Sequence, residues 1–357
     1  MTTASYLPEG GGTAIHTHEM ARRLVAAGVD VTILTTAFRR ADTGLTVVDG
    51  LKVIRVRARP RGTDYYFAPR LGRLLRREDF DLVHCQGYHT LVAPITMLGA
   101  LMNHVPCVVS FHSGGHSSPI RRAIRPAQTR LLRPLMRRSA ALVAVSEFEA
   151  DLFSRRLDIP RSAITVIPSG VELPPPQADV PVAPEPLIVS VGRLESYKGH
   201  LRVIEALPSV QTVRPDMRVR VVGSGPSERE LRRLARKLGV SDSVDIGPVA
   251  ADRRHELADL LRRAAVVAAL SEYESQGLAA NEALALGRPL VVNDSSALRE
   301  LAGRPNVRMV ASSASAREVA EAMLDLVAAP TEPPGAYPTW PDCVAAVLDV
   351  YESVMSV

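Results

Sequence analysis

Short apolar runs alternate along the chain with longer segments in which apolar positions recur every three or four residues. In the first half the strand-like runs are Val29–Thr36, Leu51–Arg57, Asp81–Cys85, Pro106–Phe111, Ala141–Val145 and Ala163–Ile167. Helical periodicity lies between them, as in Thr13–Ala27 closed by Gly28, and in Glu147–Leu157 opened by Ser146 as N-cap. Runs that are apolar throughout, rather than at alternate positions, belong to strands buried on both faces. The alternation therefore predicts an α/β domain with a parallel sheet covered by helices on both sides. The opening MTTASYLP makes a poor first strand for such a domain, so either that strand is short or the true start lies upstream.

At 171–186 the sequence VELPPPQADVPVAPEP carries six prolines, which lack a backbone donor and favour an extended connector. The alternation then restarts with Leu187–Val191, Met217–Gly223, Ser243–Ile246, Ala265–Leu270 and Pro289–Asn293. Helical patterns near Gly199–Leu207, Ser227–Leu238, Arg253–Arg263 and Gly277–Leu286 separate these runs. A second proline-rich stretch, Ala329–Pro338, precedes a last helix from Pro341 to about Met355. The expected organisation is a Rossmann-like domain at 1–170, a linker at 171–186 and a second Rossmann-like domain at 187–338. A final helix at 339–357 is expected to pack across the domain junction through Trp340 and Tyr351. Two tandem doubly wound domains are expected to face each other across a cleft, with the active site at the carboxyl ends of both sheets.

Composition narrows the setting. A length of 357 residues suits two domains, and 46% hydrophobic residues with a net charge of +5 exclude a disordered chain. No uncharged apolar run approaches the roughly 20 residues of a membrane span. Nothing near Met1 resembles a secretory leader, and the scattered Cys85, Cys107 and Cys343 form no disulfide framework, so a cytoplasmic setting is expected. The basic excess raises a nucleic-acid reading. Lysine, however, occurs only at Lys52, Lys198 and Lys237, arginine is spread along the whole chain, and 4% aromatic residues leave few stacking platforms. No nucleic-acid partner is expected.

Four groups of residues carry candidate chemistry. Gly10, Gly11 and Gly12 precede a helix expected from Thr13, where backbone without Cβ can approach a phosphate; a tight turn is the plainer alternative. Arg193 and Lys198 flank the loop after the strand Leu187–Val191. There an arginine fork and a lysine point charge suit a diphosphate, against the alternative of solvated surface charge. Glu274 and Glu282 bracket the start of a helix at Gly277 and Leu278, whose free N–H groups suit an anion; a carboxylate can hold a vicinal diol, and the plainer alternatives are a helix-surface residue for Glu282 and a first-turn carboxylate that suits the helix dipole for Glu274. Six of nine histidines lie at His16, His18, His84, His89, His112 and His116, and His112 follows the strand Pro106–Phe111 and is expected to project into the cleft. His16 and His18 form an H-x-H pair on different faces of a helix, and no H-E-x-x-H or Cys-x-x-Cys pattern completes a metal shell.

Together these stretches resemble glycosyltransferase family 4, retaining nucleotide-sugar enzymes of the GT-B fold. The likeness runs through GGGTAIHTHEMARRL at Gly10–Leu24, DLVHCQGYHT at Asp81–Thr90, VVSFHSGGHSS at Val108–Ser118 and ALVAVSEFE at Ala141–Glu149. It continues through VIPSGVE at Val166–Glu172, VGRLESYKG at Val191–Gly199, VVGSGP at Val221–Pro226 and SEYESQGLAANEALALGRPLVV at Ser271–Val292. The resemblance implies that Gly11 and Gly12 approach the distal phosphate and that Arg193 and Lys198 stabilise the departing diphosphate. It further implies that Glu282 holds the ribose, that Val249 meets the base through its backbone, and that Glu274 with the N–H groups of Gly277 and Leu278 holds the sugar and phosphate. His112 would contact the sugar near the reacting carbon. No metal or cofactor is expected, the nucleotide-sugar being a co-substrate. Gln276, Ala279, Ala280, Ser169 and Asn293–Ala297 depart from the family pattern around the donor sugar and leave its identity open.

The expected activity is metal-independent transfer of a hexosyl group, with retention, to a hydroxyl of a bacterial lipid, envelope saccharide or natural product. A GT-B-type nucleotide-sugar epimerase or hydrolase and a non-catalytic nucleotide-sugar-binding protein are the alternatives. The basic amphipathic segment Arg121–Arg138, interrupted by Pro126 and Pro134, adds an expected peripheral contact with anionic membrane at the inner face, against an ordinary solvated helix.

Overall fold

The apolar runs form two separate sheets in a computed structural model, which describes residues 1–8, 11–60, 65–115, 119–175, 185–250, 253–333 and 336–356. The expected linker residues 176–184, as well as Gly10 and His116, lie outside the described residues. The described residues divide into two units. One comprises Met1–Ser113, Ile120–Ser169 and Trp340–Val357, and the other Gly114–Pro119 and Gly170–Thr339. The last helix and a short stretch after residue 113 are thus grouped differently from the expected boundaries.

The first unit's strands are β1 (Thr2–Thr3), β2 (Thr32–Ala37), β3 (Gly44–Val48), β4 (Leu51–Arg57), β5 (Val83–Gln86), β6 (Cys107–Ser110), β7 (Ala141–Ala144) and β8 (Ile164–Val166). Their order is β3-β4-β2-β1-β5-β6-β7-β8, and only β3 with β4 is antiparallel. The poor first strand is a two-residue β1, seated in parallel between β2 and β5 with Thr2 opposite Leu34 and Cys85. The helices here are α1 (Gly12–Ala26), α2 (Arg70–Leu74), α3 (Val92–Met102), α4 (Pro119–Met136) and α5 (Glu147–Leu157). Ser146 Oγ accepts from Glu149 N at 3.1 Å and fixes the start of α5, and Asp158 ends it in the left-handed region.

The second unit's strands are β9 (Glu185–Val191), β10 (Arg218–Val222), β11 (Val244–Gly247), β12 (Ala264–Ala269), β13 (Leu290–Asn293) and β14 (Val307–Val310). All are parallel, in the order β11-β10-β9-β12-β13-β14. The helices are α6 (His200–Gln211), α7 (Glu228–Lys237), α8 (Arg254–Arg263), α9 (Leu278–Ala285) and α10 (Ala316–Ala328). β3, β14 and α10 have no counterpart among the expected elements.

Renumbered from its own first strand, the second sheet has the order 3-2-1-4-5-6 of a doubly wound fold, and β4-β2-β1-β5-β6-β7 repeats that order in the first. Strand order reverses between β1 and β5, and between β9 and β12. Ligands of such sheets bind beyond the carboxyl ends of the strands at that reversal. In each unit two buried clusters cover the two sheet faces, as fully apolar strands require. The last helix, α11 (Trp340–Met355), places Trp340, Cys343, Val344, Val347, Val350 and Tyr351 in one of the first unit's clusters, beside Met20, Ala21 and Leu24 of α1. No described helix is long and apolar enough to cross a membrane.

Candidate functional site

Unit by unit, the candidate residues gather at the two strand-order reversals. In the second unit, the loop after β9 carries Arg193 and Lys198, and the loop after β12 carries Glu274. Lys198 Nζ lies 2.6 Å from Glu274 Oε1, with both side chains largely buried. Gly199 makes this approach available. Its φ is +74°, and a Cβ there would sit 2.1 Å from the Leu270 carbonyl oxygen at the end of β12, so only glycine lets the two loops touch. Burial works against the charge on Lys198, but the facing Glu274 and Tyr197 outweigh it and its pKa is raised.

Several neutral groups hold Glu274. Ser271 Oγ donates to its Oε1 at 2.7 Å, and its backbone N–H donates to Ser296 Oγ at 2.8 Å. Asn293 Nδ2 and Ser295 Oγ both donate to the Ser271 carbonyl, at 3.0 and 2.6 Å. The segment Asn293–Ala297 thus serves to fasten the Glu274 loop. Arg193 differs from Lys198: its side chain is 65% exposed and ion-paired with the buried Glu195. His200, directly after the glycine, packs beneath this loop with Nδ1 2.9 Å from Ser190 Oγ, and burial drives its pKa down to about 4.

Gly277 caps α9 at φ +79°, where a Cβ would meet Leu298 Cδ2 at 2.8 Å. Gly277 has no side chain with which to cap this helix, so the N–H groups of its first turn, beginning at Leu278, can face an anion. Glu282 lies inside α9, buried, with Oε1 2.6 Å from Arg254 Nη2 at the start of α8. Burial raises the pKa of Glu282 and Arg254 opposes that rise. Arg254 was not among the expected site residues, being one arginine among many. Val249 lies beyond Gly247 at the end of β11 and is half-buried against the second sheet's core.

Among the described residues, the first unit presents no such ion pairs at its own reversal. Gly11 is the N-cap of α1, which starts one residue earlier than expected, at Gly12. The space where a Gly11 Cβ would point is open. His112 sits just past β6 in the left-handed region at φ +44°, buried, with Nε2 2.6 Å from Gln86 Oε1. His16 of α1 lies against it, ring centroids 4.5 Å apart, and also against Trp340 at 5.5 Å. His18 turns to the other side, toward Tyr6 at 2.8 Å and Asp49 at 3.2 Å. Burial, then neighbouring histidines, holds His112 well below the usual histidine range. Burial also holds His16 down to about 3, and His84 to about 3 with help from the Met1 amino group. Gln86, His84 and Tyr351 were not anticipated as partners of this histidine. Among the described residues no cluster of three or more His, Cys, Asp or Glu is placed to hold a metal ion.

Arg133 and Arg137 of the basic segment both turn to Asp158, while Leu131 is 78% exposed and Ile124 52% exposed.

A family model described as Glycosyltransferase Family 4 matches residues 10–173, and one described as Glycosyl transferases group 1 matches residues 177–334. A D-inositol 3-phosphate glycosyltransferase of Nocardiopsis dassonvillei is 32% identical over 321 residues, covering 79% of this chain and 73% of the relative. Among solved structures, sucrose-phosphate synthase from Thermosynechococcus elongatus aligns with a TM-score of 0.75 at 19% identity, over 99% of this chain and 96% of that one. Anabaena Alr3699/HepE in complex with UDP and glucose aligns with a TM-score of 0.71 at 17% identity, over 99% and 97% of the two chains. At such identities the structural likeness speaks for the fold.

Proposed function

The chain belongs to glycosyltransferase family 4, and from that premise we propose a specific reaction for this GT-B nucleotide-sugar glycosyltransferase: retaining, metal-independent transfer of a hexosyl group to an acceptor hydroxyl. The observation that carries the reading is the Lys198–Glu274 pair at the strand-order reversal, one short loop away from the uncapped start of α9. An ammonium has three donors, so Lys198 can keep Glu274 and still donate to a phosphate oxygen. Glu274 keeps an acceptor oxygen for sugar hydroxyls, the first-turn N–H groups of α9 take a second phosphate oxygen, and Glu282 takes the ribose hydroxyls. Arg193, exposed and paired across its own loop with Glu195, swings to the diphosphate. Gly11 and Gly12 approach the distal phosphate, Val249 meets the base through its backbone, and His112 contacts the transferred sugar. These fixed charges do the work a divalent ion does elsewhere.

In the reaction the bond between the anomeric carbon and the phosphate oxygen breaks through an oxocarbenium-like state. The acceptor oxygen attacks the face the phosphate leaves, and the departing phosphate oxygen takes the acceptor proton. The UDP and glucose bound in the Anabaena Alr3699/HepE structure support a UDP-hexose as the first donor to try; a bacterial lipid, envelope saccharide or natural product is the proposed acceptor. The exposed Ile124, Arg130 and Leu131 of α4 are the proposed contact with an anionic membrane surface.

To test this, UDP-, GDP- and TDP-hexoses are screened by thermal shift, and the stabilising donor is turned over with EDTA present while anomeric proton signals are followed. The expected product keeps the donor's anomeric configuration and forms without metal. An inverted product, or complete dependence on a divalent ion, overturns the proposal.

A further inference from the structure

At the first unit's reversal, a run of hydrogen bonds leads away from His112. His84 and Gln86 are two apart on β5 and so share one sheet face. His84 Nδ1 lies 2.7 Å from Tyr351 Oη on α11, and its Nε2 lies 2.7 Å from Ser110 Oγ on β6 and 3.1 Å from Gln86 Nε2. Gln86 Oε1 lies 2.6 Å from His112 Nε2. All five side chains are buried.

The amide gives this chain a direction, because its nitrogen only donates and its oxygen only accepts. With Gln86 Nε2 on His84, the His84 Nε2 accepts, so His84 carries its proton on Nδ1 and donates to Tyr351 Oη. With Gln86 Oε1 on His112, the His112 proton sits on Nε2 and the lone pair on Nδ1. Among the described residues Nδ1 of His112 has no partner. The backbone at φ +44° costs about 1 kcal/mol for a non-glycine residue and persists only where its surroundings hold it. The short Gln86 bond and the His16 ring are what hold it here.

We propose that Gln86 is a positioning residue that keeps His112 as the Nε2–H tautomer and presents Nδ1 as an acceptor for a hydroxyl of the transferred sugar, with His84 Nε2 accepting the amide N–H and so holding the sense of the amide. The inference rests on the role given to His112 above. The titratable groups facing His112 are His16 from α1, His84 from β5 and His89 from the loop after it. Tyr351 from α11 and the Met1 amino group act on it through His84, and Arg23 lies over the Trp340 ring that His16 touches. Glu149 of α5 is taken up by Ser113 N, Ser113 Oγ and Val145 N. Gln86→Glu would therefore bring a carboxylate into direct contact with the His112 imidazole, where it stabilises the imidazolium.

Two measurements decide the matter. Long-range proton–nitrogen correlation on histidine-labelled protein, with His112 identified from the spectrum of a His112→Phe variant, is expected to show a neutral Nε2–H ring in the unmodified protein. In Gln86→Glu the same ring is expected to titrate at higher pH, and donor turnover to fall about tenfold per pH unit below that new value, as a single protonation requires. Unmodified enzyme is expected to show no such fall over the same range. An Nδ1–H ring in the unmodified protein overturns the proposal, and so does a Gln86→Glu pH profile that superimposes on that of the unmodified enzyme. If unmodified protein turns over no nucleotide-sugar, the proposed function falls, whereas the positioning of His112 is still judged by the spectrum.

Discussion

At the carboxyl ends of β9 and β12 the second unit sets charge against charge, Lys198 on Glu274 and Arg193 on Glu195, whereas the first unit's reversal holds neutral rings, an amide and hydroxyls. The strand order around the two reversals is the same, so the fold does not dictate this difference. What sets it is solvent and partners. Lys198 keeps its charge because a carboxylate faces it, while among the described residues no carboxylate faces His16, His84 or His112 and burial leaves them uncharged. On the proposed reading, one reversal takes the charged diphosphate and the other the hydroxyls of the sugar.

Removing charge should hurt the second unit most. Lys198→Ala and Glu274→Gln are each expected to lower turnover by about a hundredfold to a thousandfold, the scale of losing one preorganised group that stabilises developing charge. Because the two groups touch, the double variant should lose far less than the product of the two single losses. Steady-state kinetics of all three proteins check this, and full multiplicativity would mean that the pair does not act as a unit.

Acid should separate the units in the opposite sense. His16 and His84 bind a proton only near pH 3 when folded, against an ordinary value of 6.5 when unfolded. Between those values the unfolded chain holds the extra protons, so stability falls as pH drops through that window, by up to one proton's worth of slope for each ring. The second unit has His200, at about 4, to set against them. Trp340 is the chain's one tryptophan and it packs on His16 in the first unit, so its fluorescence reports that unit. Lowering the pH from about 7 to about 5 should move the urea midpoint seen by Trp340 further than the midpoint seen by far-UV circular dichroism. Equal movement of the two would remove the distinction.

A smaller effect is expected where burial and pairing compete within one residue. Arg254→Leu takes away the partner that favours the charged form of Glu282, whose pKa is already raised by burial, so the proton should stay on to still higher pH. Nucleotide affinity should fall by about tenfold at neutral pH and recover in part as pH rises, since an ionised carboxylate accepts ribose hydroxyls better than a protonated one. Calorimetric titration with UDP at several pH values tests this, and a loss that does not vary with pH would count against the role of Arg254.

The contrast between the units also explains what could be read from the chain. The second unit's site lies in two contiguous stretches, Gly192–Gly199 and Ser271–Glu282, and one of its members is a rare lysine. The first unit's chain joins Gln86 to His112 across 26 residues and His84 to Tyr351 across 267. Such pairs have no local signature, because only the parallel register and the return of α11 bring them together. Arg254 was hidden differently, by an arginine-rich background. β3 passed unnoticed because nearly all its positions are exposed and periodicity has nothing to register. Its marker was the turn instead: Asp49 and Gly50, at φ 48° and 80°, form the Asp-Gly pair of a tight hairpin.

The smallest expected effects come from deleting one hydroxyl at each reversal. Ser296 sits at φ +44° and its Oγ accepts from the Glu274 backbone N–H, so Ser296→Ala leaves that half-buried donor to solvent. A loss of about 1 kcal/mol is expected, seen as a roughly fivefold rise in the donor KM with little change in kcat, because the Lys198–Glu274 contact itself survives. Ser110→Ala in the first unit removes one of two donors to His84 Nε2, and Gln86 Nε2 remains as the other. Its effect should stay within about twofold, since the acceptor is not left unsatisfied. If Ser110→Ala proves the more damaging of the two, the neutral chain depends on that hydroxyl, more than on the Gln86 amide, to keep His84 Nε2 an acceptor.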